Sequence, residues 1–350
     1  MLKSRKENKK VAAKVFGIDF GTSTIKIYKK NEGVIFDEKN IIALCNGNVV
    51  AIGDDAFEMY GKAPDNFFVT FPVRNGVIAD IANMLALLNR AFKLISEKNG
   101  KINGAEFIVA APTAVTEVEK RAFFDLVQSS IAKPKRVRIV EKPVANAIGA
   151  GLDVMDAAGT MTVDIGADTT EISIMSLGGI VSSNLISVGG NKLDESIISC
   201  VKKKYGLIIG NKTAETIKKE LACAIKPEEG SIRVYGRDVM TGLPIETEVS
   251  AEFVYEAIAD HLHSIVDSVR ILLEKTPPEI ASDILDSGIF LTGGSANIKD
   301  LDKLFAKETE LSINVCPDPA NTVVNGLGKI LEDSRYDSLA FTLKQTTYGG

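Results

Sequence analysis

Two aspartates in this sequence are each followed by the same small set of residues. Asp19 precedes a glycine by two positions and a threonine by five, and Asp164 repeats this arrangement near the middle of the chain. A carboxylate can hold a cation, and a nearby glycine leaves backbone N–H groups accessible to a phosphate. One Asp-x-Gly alone would be weak evidence, because both residues are common in turns. The matched pair predicts two phosphate-binding turns.

The segments around both aspartates are rich in β-forming residues. Residues 15–28 and 159–177 each have the pattern of a strand, a tight turn and a second strand. Two such hairpins far apart in the chain indicate a duplicated half-molecule. Facing each other across a cleft, the hairpins could hold a polyphosphate and its metal ion from both sides.

Composition narrows the class of protein. The chain has 350 residues, of which 45% are hydrophobic and 25% charged, which suits two domains or one elaborated α/β unit. A net charge of −5 argues against nucleic acid as a partner. Four scattered cysteines argue against a zinc site or a disulfide framework and favour a reducing cytoplasm. Residues 1–10 are expected to be a disordered basic arm, with contact to an anionic membrane as the alternative.

Glu119 has two interpretations. Thr116 and Glu119 fit the capping box at the start of a helix, in which the glutamate reaches back to the backbone of the cap residue. Alternatively, Glu119 is the carboxylate that orients a water molecule against a terminal phosphate. Spacing alone favours the cap, because the capping signature is common.

Four further segments carry weaker signals. Glu215 and Lys218 lie on one face of a predicted helix at 213–224, where a mutual surface ion pair is the default interpretation. Gly293 and Gly294 end a buried strand, as in many strand-to-helix turns. Small residues along a predicted helix at 141–151 indicate close helix packing, a hinge between two halves, or both. A second predicted helix of small residues, at 321–331, could cross back to the first half.

Taken together, the motifs resemble the superfamily of actins, sugar kinases and heat-shock chaperone ATPases, and most closely the bacterial actins of the MreB family. The resemblance covers roughly residues 14–332. It is carried by the two hairpins, the helix after Glu-Lys-Pro at 141–143, the Leu-Thr-Gly-Gly at 291–294, and segments 75–80, 174–181, 213–215 and 272–283.

The resemblance implies an α/β fold of two lobes, each with a central mixed sheet flanked by helices, and a nucleotide cleft between them. The implied boundaries are lobe I at 11–140 with a small subdomain at about 32–71, lobe II at 141–319 with one at about 181–245, a return helix at 320–335 that packs on lobe I, and a loose tail at 336–350.

The resemblance also assigns site residues by position. The phosphates of ATP or ADP would contact Gly21, Thr22, Ser23, Thr24, Gly166, Ala167, Asp168 and Thr169. The nucleoside would contact Glu215 and Lys218, and its base and ribose Gly293, Gly294, Ser295 and Ala296. Asp19 and Asp164 would hold Mg²⁺ through water. The catalytic residues would be Thr169 and Glu119, so the family context favours the water-orienting interpretation of Glu119.

The implied function is that of an ATP-binding cytoskeletal protein. Such proteins polymerise into paired filaments in the cytoplasm, at the inner face of the cell membrane, and guide cell-wall synthesis. The implied partners are further copies of the chain, inner-membrane cell-wall and shape proteins and, indirectly, the membrane surface. Two rivals stay open: a nucleotide-insensitive filament scaffold and a monomeric phosphotransferase of the same superfamily.

This chain departs from the family pattern in the second phosphate turn. Ala167 and Asp168 stand where the family has glycines, and Ser295 and Ala222 replace glycines near the nucleoside. A carboxylate about 4 Å from a phosphate oxygen would be repelled by about 4 kcal/mol. Only an intervening cation or an outward rotation of Asp168 would relieve that repulsion. The expected ATPase is therefore weak or slow.

Overall fold

The computed structural model describes residues 14–343, whose strands form two large sheets and three small ones. The elements of lobe I are β1 (Val15–Phe20), β2 (Thr24–Lys29), β3 (Gly33–Lys39), β4 (Ile42–Cys45), β5 (Asn48–Ile52), α1 (Gly53–Met59), β6 (Phe67–Thr70), β7 (Val73–Arg74), β8 (Val77–Ile78), α2 (Ile81–Asn99), β9 (Glu106–Ala111), α3 (Glu117–Gln128) and β10 (Arg136–Glu141).

The remaining elements build lobe II and the helices that connect it to lobe I. They are α4 (Lys142–Gly149), β11 (Thr160–Ile165), β12 (Thr170–Ser176), β13 (Gly179–Ile186), α5 (Gly190–Tyr205), β14 (Leu207–Ile208), α6 (Asn211–Leu221), β15 (Ser231–Asp238), β16 (Pro244–Ser250), α7 (Ala251–Glu274), α8 (Pro278–Ser287), β17 (Ile289–Thr292), α9 (Leu301–Thr309), β18 (Ile313–Val315) and α10 (Thr322–Glu332). Short 3₁₀ helices span Gly294–Asn297, Pro319–Asn321 and Ser334–Leu339.

The two large sheets have matching topology. Their strand orders are β3-β2-β1-β9-β10 and β13-β12-β11-β17-β18. In each sheet the first three strands are antiparallel, and the last two run parallel to the third. The predicted duplication is confirmed. It places Asp19 on β1 and Asp164 on β11 at equivalent positions beside a parallel neighbour.

Buried apolar side chains make both lobes rigid supports for their hairpins. The helical period of α7 places Ile258, Leu262, Ile265 and Val269 on one buried face, against the sheet of lobe II. Ser250 caps that helix by accepting a hydrogen bond from the Phe253 N–H. Aromatic rings fill the core of lobe I in the same way.

The two small subdomains begin later in the chain than predicted. β3 belongs to the large sheet of lobe I, so the small sheet there contains only β4, β5 and β6. Likewise, β13 belongs to the large sheet of lobe II, and the small sheet of β14, β15 and β16 continues to Ser250. Each small subdomain starts later than predicted because the third antiparallel strand, β3 or β13, belongs to the large sheet of its lobe.

Helices α4 and α10 cross at two glycines. A Cβ atom on Gly149 would lie 1.7 Å from the Thr322 carbonyl oxygen, and one on Gly326 would lie 1.7 Å from that of Ala145. Only glycine permits this approach, as the small-residue pattern predicted. α10 also packs against β1, where Leu327 lies over Gly17.

The prediction of a loosely held tail is wrong for residues 336–343. Tyr336 and Ala340 are buried, and Phe341 exchanges two backbone hydrogen bonds with Ile139. The sequence suggested a loose tail because this segment has little periodicity. The segment forms a short 3₁₀ helix and one β-bridge, and neither produces a regular apolar pattern. Residues 344–350 and the predicted basic arm at 1–10 lie outside the described residues. Within 14–343, every helix is too short or too polar to span a bilayer.

Candidate functional site

The two hairpins face a single cleft of about 750 Å³ between the lobes. Most of the predicted site residues line it: Asp19, Gly21, Thr22, Ser23, Thr24, Asp164, Gly166, Ala167, Thr169, Glu215, Lys218, Gly293, Gly294 and Ser295. Three predicted residues are not part of its wall. They are Glu119, Asp168 and Ala296, the last of which packs in the core of lobe II.

The turn of the first hairpin is held by a buried asparagine. Asn40 donates a side-chain hydrogen bond to the Gly21 carbonyl at 2.8 Å and a backbone hydrogen bond to the Ser23 carbonyl at 2.8 Å. A Cβ atom at Gly21 would lie 2.8 Å from the Thr24 carbonyl oxygen, so the turn requires glycine. These contacts fix residues 21–24 as a preformed wall of the cleft.

The turn of the second hairpin is braced by its neighbours. The Gly166 N–H bonds the Thr169 carbonyl at 2.9 Å, and the Gly190 N–H bonds the Gly166 carbonyl at 3.0 Å. Ser295 donates its hydroxyl to the same Gly166 carbonyl at 3.0 Å. Ala167 does not adopt a positive φ, so the alanine fits without backbone strain.

The Asp168 side chain turns away from the cleft, and the predicted contact of this residue with a phosphate stays a prediction that only its backbone N–H could meet. One of its carboxylate oxygens accepts a hydrogen bond from the backbone N–H of Asn75 at 2.8 Å, and the other accepts one from the Asn191 side chain at 2.7 Å. This is the outward rotation that relieves the repulsion expected between the carboxylate and a phosphate. Since Asn75 belongs to lobe I, Asp168 joins the two lobes.

The predicted metal ligands are close to a lysine that sequence reasoning missed. The ammonium group of Lys142 lies 2.9 Å from an oxygen of Asp164. Burial opposes the charge on Lys142, but Asp164, Asp19 and Glu171 outweigh burial and raise the pKa of the ammonium group. Burial raises the pKa of Asp19, although Lys142 and Lys26 oppose the shift.

This arrangement does not fit the predicted metal site. In that site both carboxylates would face a hydrated divalent ion, whereas the Asp164 carboxylate here already forms an ion pair with the ammonium group of Lys142. Among residues 14–343, no three His, Cys, Asp or Glu side chains are grouped so that they could hold a metal ion. We therefore assign no step to a metal ion.

Glu171 forms a second connection between the lobes. It is the register partner of Asp164 on β12, and its carboxylate accepts a hydrogen bond from the Thr113 backbone N–H of lobe I at 3.0 Å. Burial raises the pKa of Glu171 to about 7, against the opposing effects of Lys142 and the Thr113 N–H. Glu171 is therefore partly protonated near neutral pH.

The predicted ion pair between Glu215 and Lys218 is wrong. Glu215 pairs with Lys219 at 2.7 Å and, across the cleft, with Lys39 at 3.7 Å. Lys218 turns to Asp194 at 2.8 Å and also donates to the Gly190 carbonyl. Both side chains still line the cleft, on the side expected to receive the nucleoside.

The capping interpretation of Glu119 is confirmed. Thr116 accepts a hydrogen bond from the Glu119 N–H at 3.2 Å, and the Glu119 carboxylate accepts one from the Thr116 N–H at 2.8 Å. The Thr116 N–H and the Thr116 hydroxyl, the latter at 2.8 Å, both donate to the Glu119 carboxylate and lower its pKa. The catalytic role of Glu119 stays a prediction, as does that of Thr169, which lines the cleft.

The small subdomains touch across the open end of the cleft. The Asn211 side chain donates to the Tyr60 hydroxyl at 3.0 Å, and the Lys212 ammonium lies 4.5 Å from the centre of the Phe57 ring. Lys212 also lies 3.9 Å from Glu58. α1 of lobe I and α6 of lobe II therefore meet above the site.

Two matching sheets around one cleft, with a hairpin turn from each, define the actin-like class of proteins. The MreB/Mbl protein family model matches residues 13–338. The chain belongs to that family.

Similar proteins agree in length as well as in fold. The chain is 38% identical to the cell shape-determining protein MreB of Escherichia coli K12, over 90% of this chain and 92% of that protein. It is 36% identical to the cell shape-determining protein Mbl of Bacillus subtilis 168, over 92% of this chain and 96% of that protein. The crystal structure of MreB5 of Spiroplasma citri bound to ADP superimposes with a TM-score of 0.88 at 33% identity, covering 94% of this chain and 98% of that one.

Proposed function

We propose that this chain binds ATP and ADP in the cleft between its lobes and polymerises into filaments that maintain cell shape. The observation that carries the proposal is the pair of matched turns at 21–24 and 166–169, which line one cleft from opposite lobes with every residue except Asp168. Backbone N–H groups in such turns bind phosphate oxygens, and two turns can hold a chain of phosphates between them. The similar MreB5 of Spiroplasma citri, crystallised with ADP and with AMPPNP, supports the same ligand class here.

The filament part of the proposal rests on family membership. An open filament needs a heterologous contact between copies that does not close into a ring. The names of the relatives, cell shape-determining proteins MreB and Mbl, support the cellular role. The proposed location is the cytoplasm at the inner face of the cell membrane, with cell-wall synthesis and shape proteins as partners and indirect contact with the membrane surface.

Slow ATP hydrolysis, with Glu119 and Thr169 as the catalytic residues, completes the proposal. Magnesium is left out of it because Lys142 pairs with one of the two predicted metal ligands. Asp168 favours nucleotide binding over the nucleotide-insensitive scaffold, because its carboxylate is held by Asn75 and Asn191, away from the phosphate position.

Sedimentation and electron microscopy with ATP, with ADP and without nucleotide test the proposal. The expected result is a pellet of filaments whose amount depends on the nucleotide, together with slow phosphate release. A pellet that is the same in all conditions would support the scaffold. A chain that stays monomeric in every condition would remove the filament function and leave the phosphotransferase.

A further inference from the structure

Lys142 brings a permanent positive charge to the phosphate side of the cleft. It is the first residue of α4 and directly follows β10, so the end of a sheet strand and the start of a helix fix its backbone. Its side chain is only 22% exposed and lines the cleft together with Gly166 and Ala167 of the second turn. Its ammonium group lies 2.9 Å from Asp164.

Other lysines of the cleft have different partners. Lys26 donates to the Ala320 carbonyl at 2.6 Å and to the Asn321 side chain. Lys218 is bonded to Asp194 and to the Gly190 carbonyl. Of the described lysines that line the cleft, Lys142 is the one bonded to a predicted metal ligand.

The charges around Lys142 explain why a cation is needed there. Asp19 and Asp164 approach the position expected for the phosphates from the two lobes, and two carboxylates would repel a polyphosphate. A divalent ion normally neutralises such a group. Here an ammonium group is already bonded to Asp164, and it keeps two N–H donors that can serve a phosphate oxygen.

We propose that Lys142 is a tethered cation that takes over charge compensation for the bound nucleotide phosphates, so that this cleft holds ADP and ATP without a divalent metal ion. The inference rests on the proposed nucleotide binding and adds a residue and an ion dependence to it. An ammonium group suits this role because it is a compact charge on a stem that can move with the ligand.

The test is a comparison of nucleotide affinity with and without divalent ions. Isothermal titration calorimetry of purified wild type with ADP and ATP, in about 5 mM Mg²⁺ or in excess EDTA, gives the factor by which affinity falls when divalent ions are removed. We expect wild type to lose less than about tenfold. On chelation, the affinity of Lys142→Met should fall by a factor at least about tenfold larger than that of wild type. The variant in EDTA has neither the lysine ammonium group nor a divalent ion beside the phosphates. Lys142→Arg should restore the behaviour of wild type.

Lys299→Met is the matched control. It removes an equal charge from an exposed lysine that lines the other end of the cleft, and the backbone bridge of Lys299 with Cys223 remains. Its affinity should depend on Mg²⁺ as wild type does. An equal chelation factor in wild type and Lys142→Met would overturn the inference.

If Lys142→Met does not fold, wild type and the two variants that keep a cation at position 142, Lys142→Arg and Lys299→Met, still test the inference. Binding in Mg²⁺ that disappears in EDTA overturns the role of Lys142 and leaves the proposed function intact. Absence of binding in both conditions removes the proposed function and this inference with it. Binding that persists in EDTA, with the predicted behaviour of Lys142→Arg and Lys299→Met, supports the tethered cation.

Discussion

Asp168 of lobe II accepts a hydrogen bond from the backbone N–H of Asn75 in lobe I, at 2.8 Å across the cleft. The Asn191 side chain holds the other oxygen of the same carboxylate at 2.7 Å. The sequence suggested that this aspartate would repel a nucleotide. Its observed contacts instead make the position of the second phosphate turn depend on lobe I.

Replacing Asp168 by glycine should weaken nucleotide binding. The charge lies outside the cleft wall, so removing it relieves little repulsion, while the hydrogen bond between the lobes is lost. A hydrogen bond to a charged group is worth about 1.5–3 kcal/mol when buried and less when exposed, so we expect ADP to dissociate about 3–10 times faster. Stopped-flow displacement of a fluorescent ADP analogue measures this rate.

Two controls separate the loss of the hydrogen bond from the loss of charge. Asp286→Gly removes an exposed aspartate at the end of α8, outside the cleft wall, and should leave the dissociation rate unchanged. Asn191→Ala removes only the second partner of Asp168 and should have a smaller effect in the same direction. Slower dissociation from Asp168→Gly would contradict this account and restore the electrostatic one.

Glu171 should make stability depend on pH near neutrality. Burial raises its pKa from 4.5 to about 7. The contribution of this group to the free energy of unfolding is therefore fully present below about pH 4.5 and is lost as the pH rises through about 7. The shift corresponds to at most about 3 kcal/mol. Thermal unfolding of wild type and Glu171→Gln at about pH 5 and about pH 8 measures how much stability each protein loses between the two pH values.

The variant should lose less stability than wild type between those two pH values, because glutamine stays neutral. Comparing the two proteins cancels the titration of other groups, including the neighbours Asp164, Glu141 and Lys142 that act on Glu171. Parallel pH profiles would show that Glu171 is already ionised throughout the folded state, and that burial does not control its proton.

Glu119 can be tested for a catalytic role apart from its cap. Glu119→Ala and Thr116→Ala each break the capping box at the start of α3 and should each cost about 1 kcal/mol of stability. Only Glu119→Ala removes the carboxylate, so only it should lower phosphate release, with ATP affinity unchanged. If both variants lower turnover equally, the effect comes from the position of α3 and not from a reacting carboxylate.

Asn146 should be the most sensitive polar residue between the crossing helices. It is fully buried, donates to the Thr292 hydroxyl at 2.7 Å and accepts from the Thr322 hydroxyl at 2.5 Å. Asn146→Ala leaves buried hydroxyls without these partners and should lower the free energy of unfolding by about 2–4 kcal/mol. The exposed Asn314→Ala should change it by less than about 1 kcal/mol, as urea denaturation can show.

The fold could be predicted from sequence because its strongest signals are local and repeated. Two β-hairpins with the same turn residues indicated duplication, and the apolar period of α7 indicated its buried face. The boundaries of the small subdomains could not be predicted in this way. Which sheet a strand such as β3 joins depends on distant partners, not on its own residues.

The site was predicted only as far as backbone turns define it. Lys142, Glu171 and Asn75 were missed, because their contacts depend on which groups face each other after folding. A weak signal existed for Glu171, which follows the second turn at the position opposite Asp164 in the hairpin. Nothing local marked Asn75 as the partner of Asp168.

The crossing of α4 and α10 limits how the protein can move. Both passages of the chain between the lobes run through this pair, and Gly149 and Gly326 bring the backbones so close that neither helix can slide past the other. The lobes can then move relative to each other only by rotating about this crossing point. A ligand therefore enters and leaves the cleft at the end opposite this crossing, where Tyr60 and Asn211 must separate.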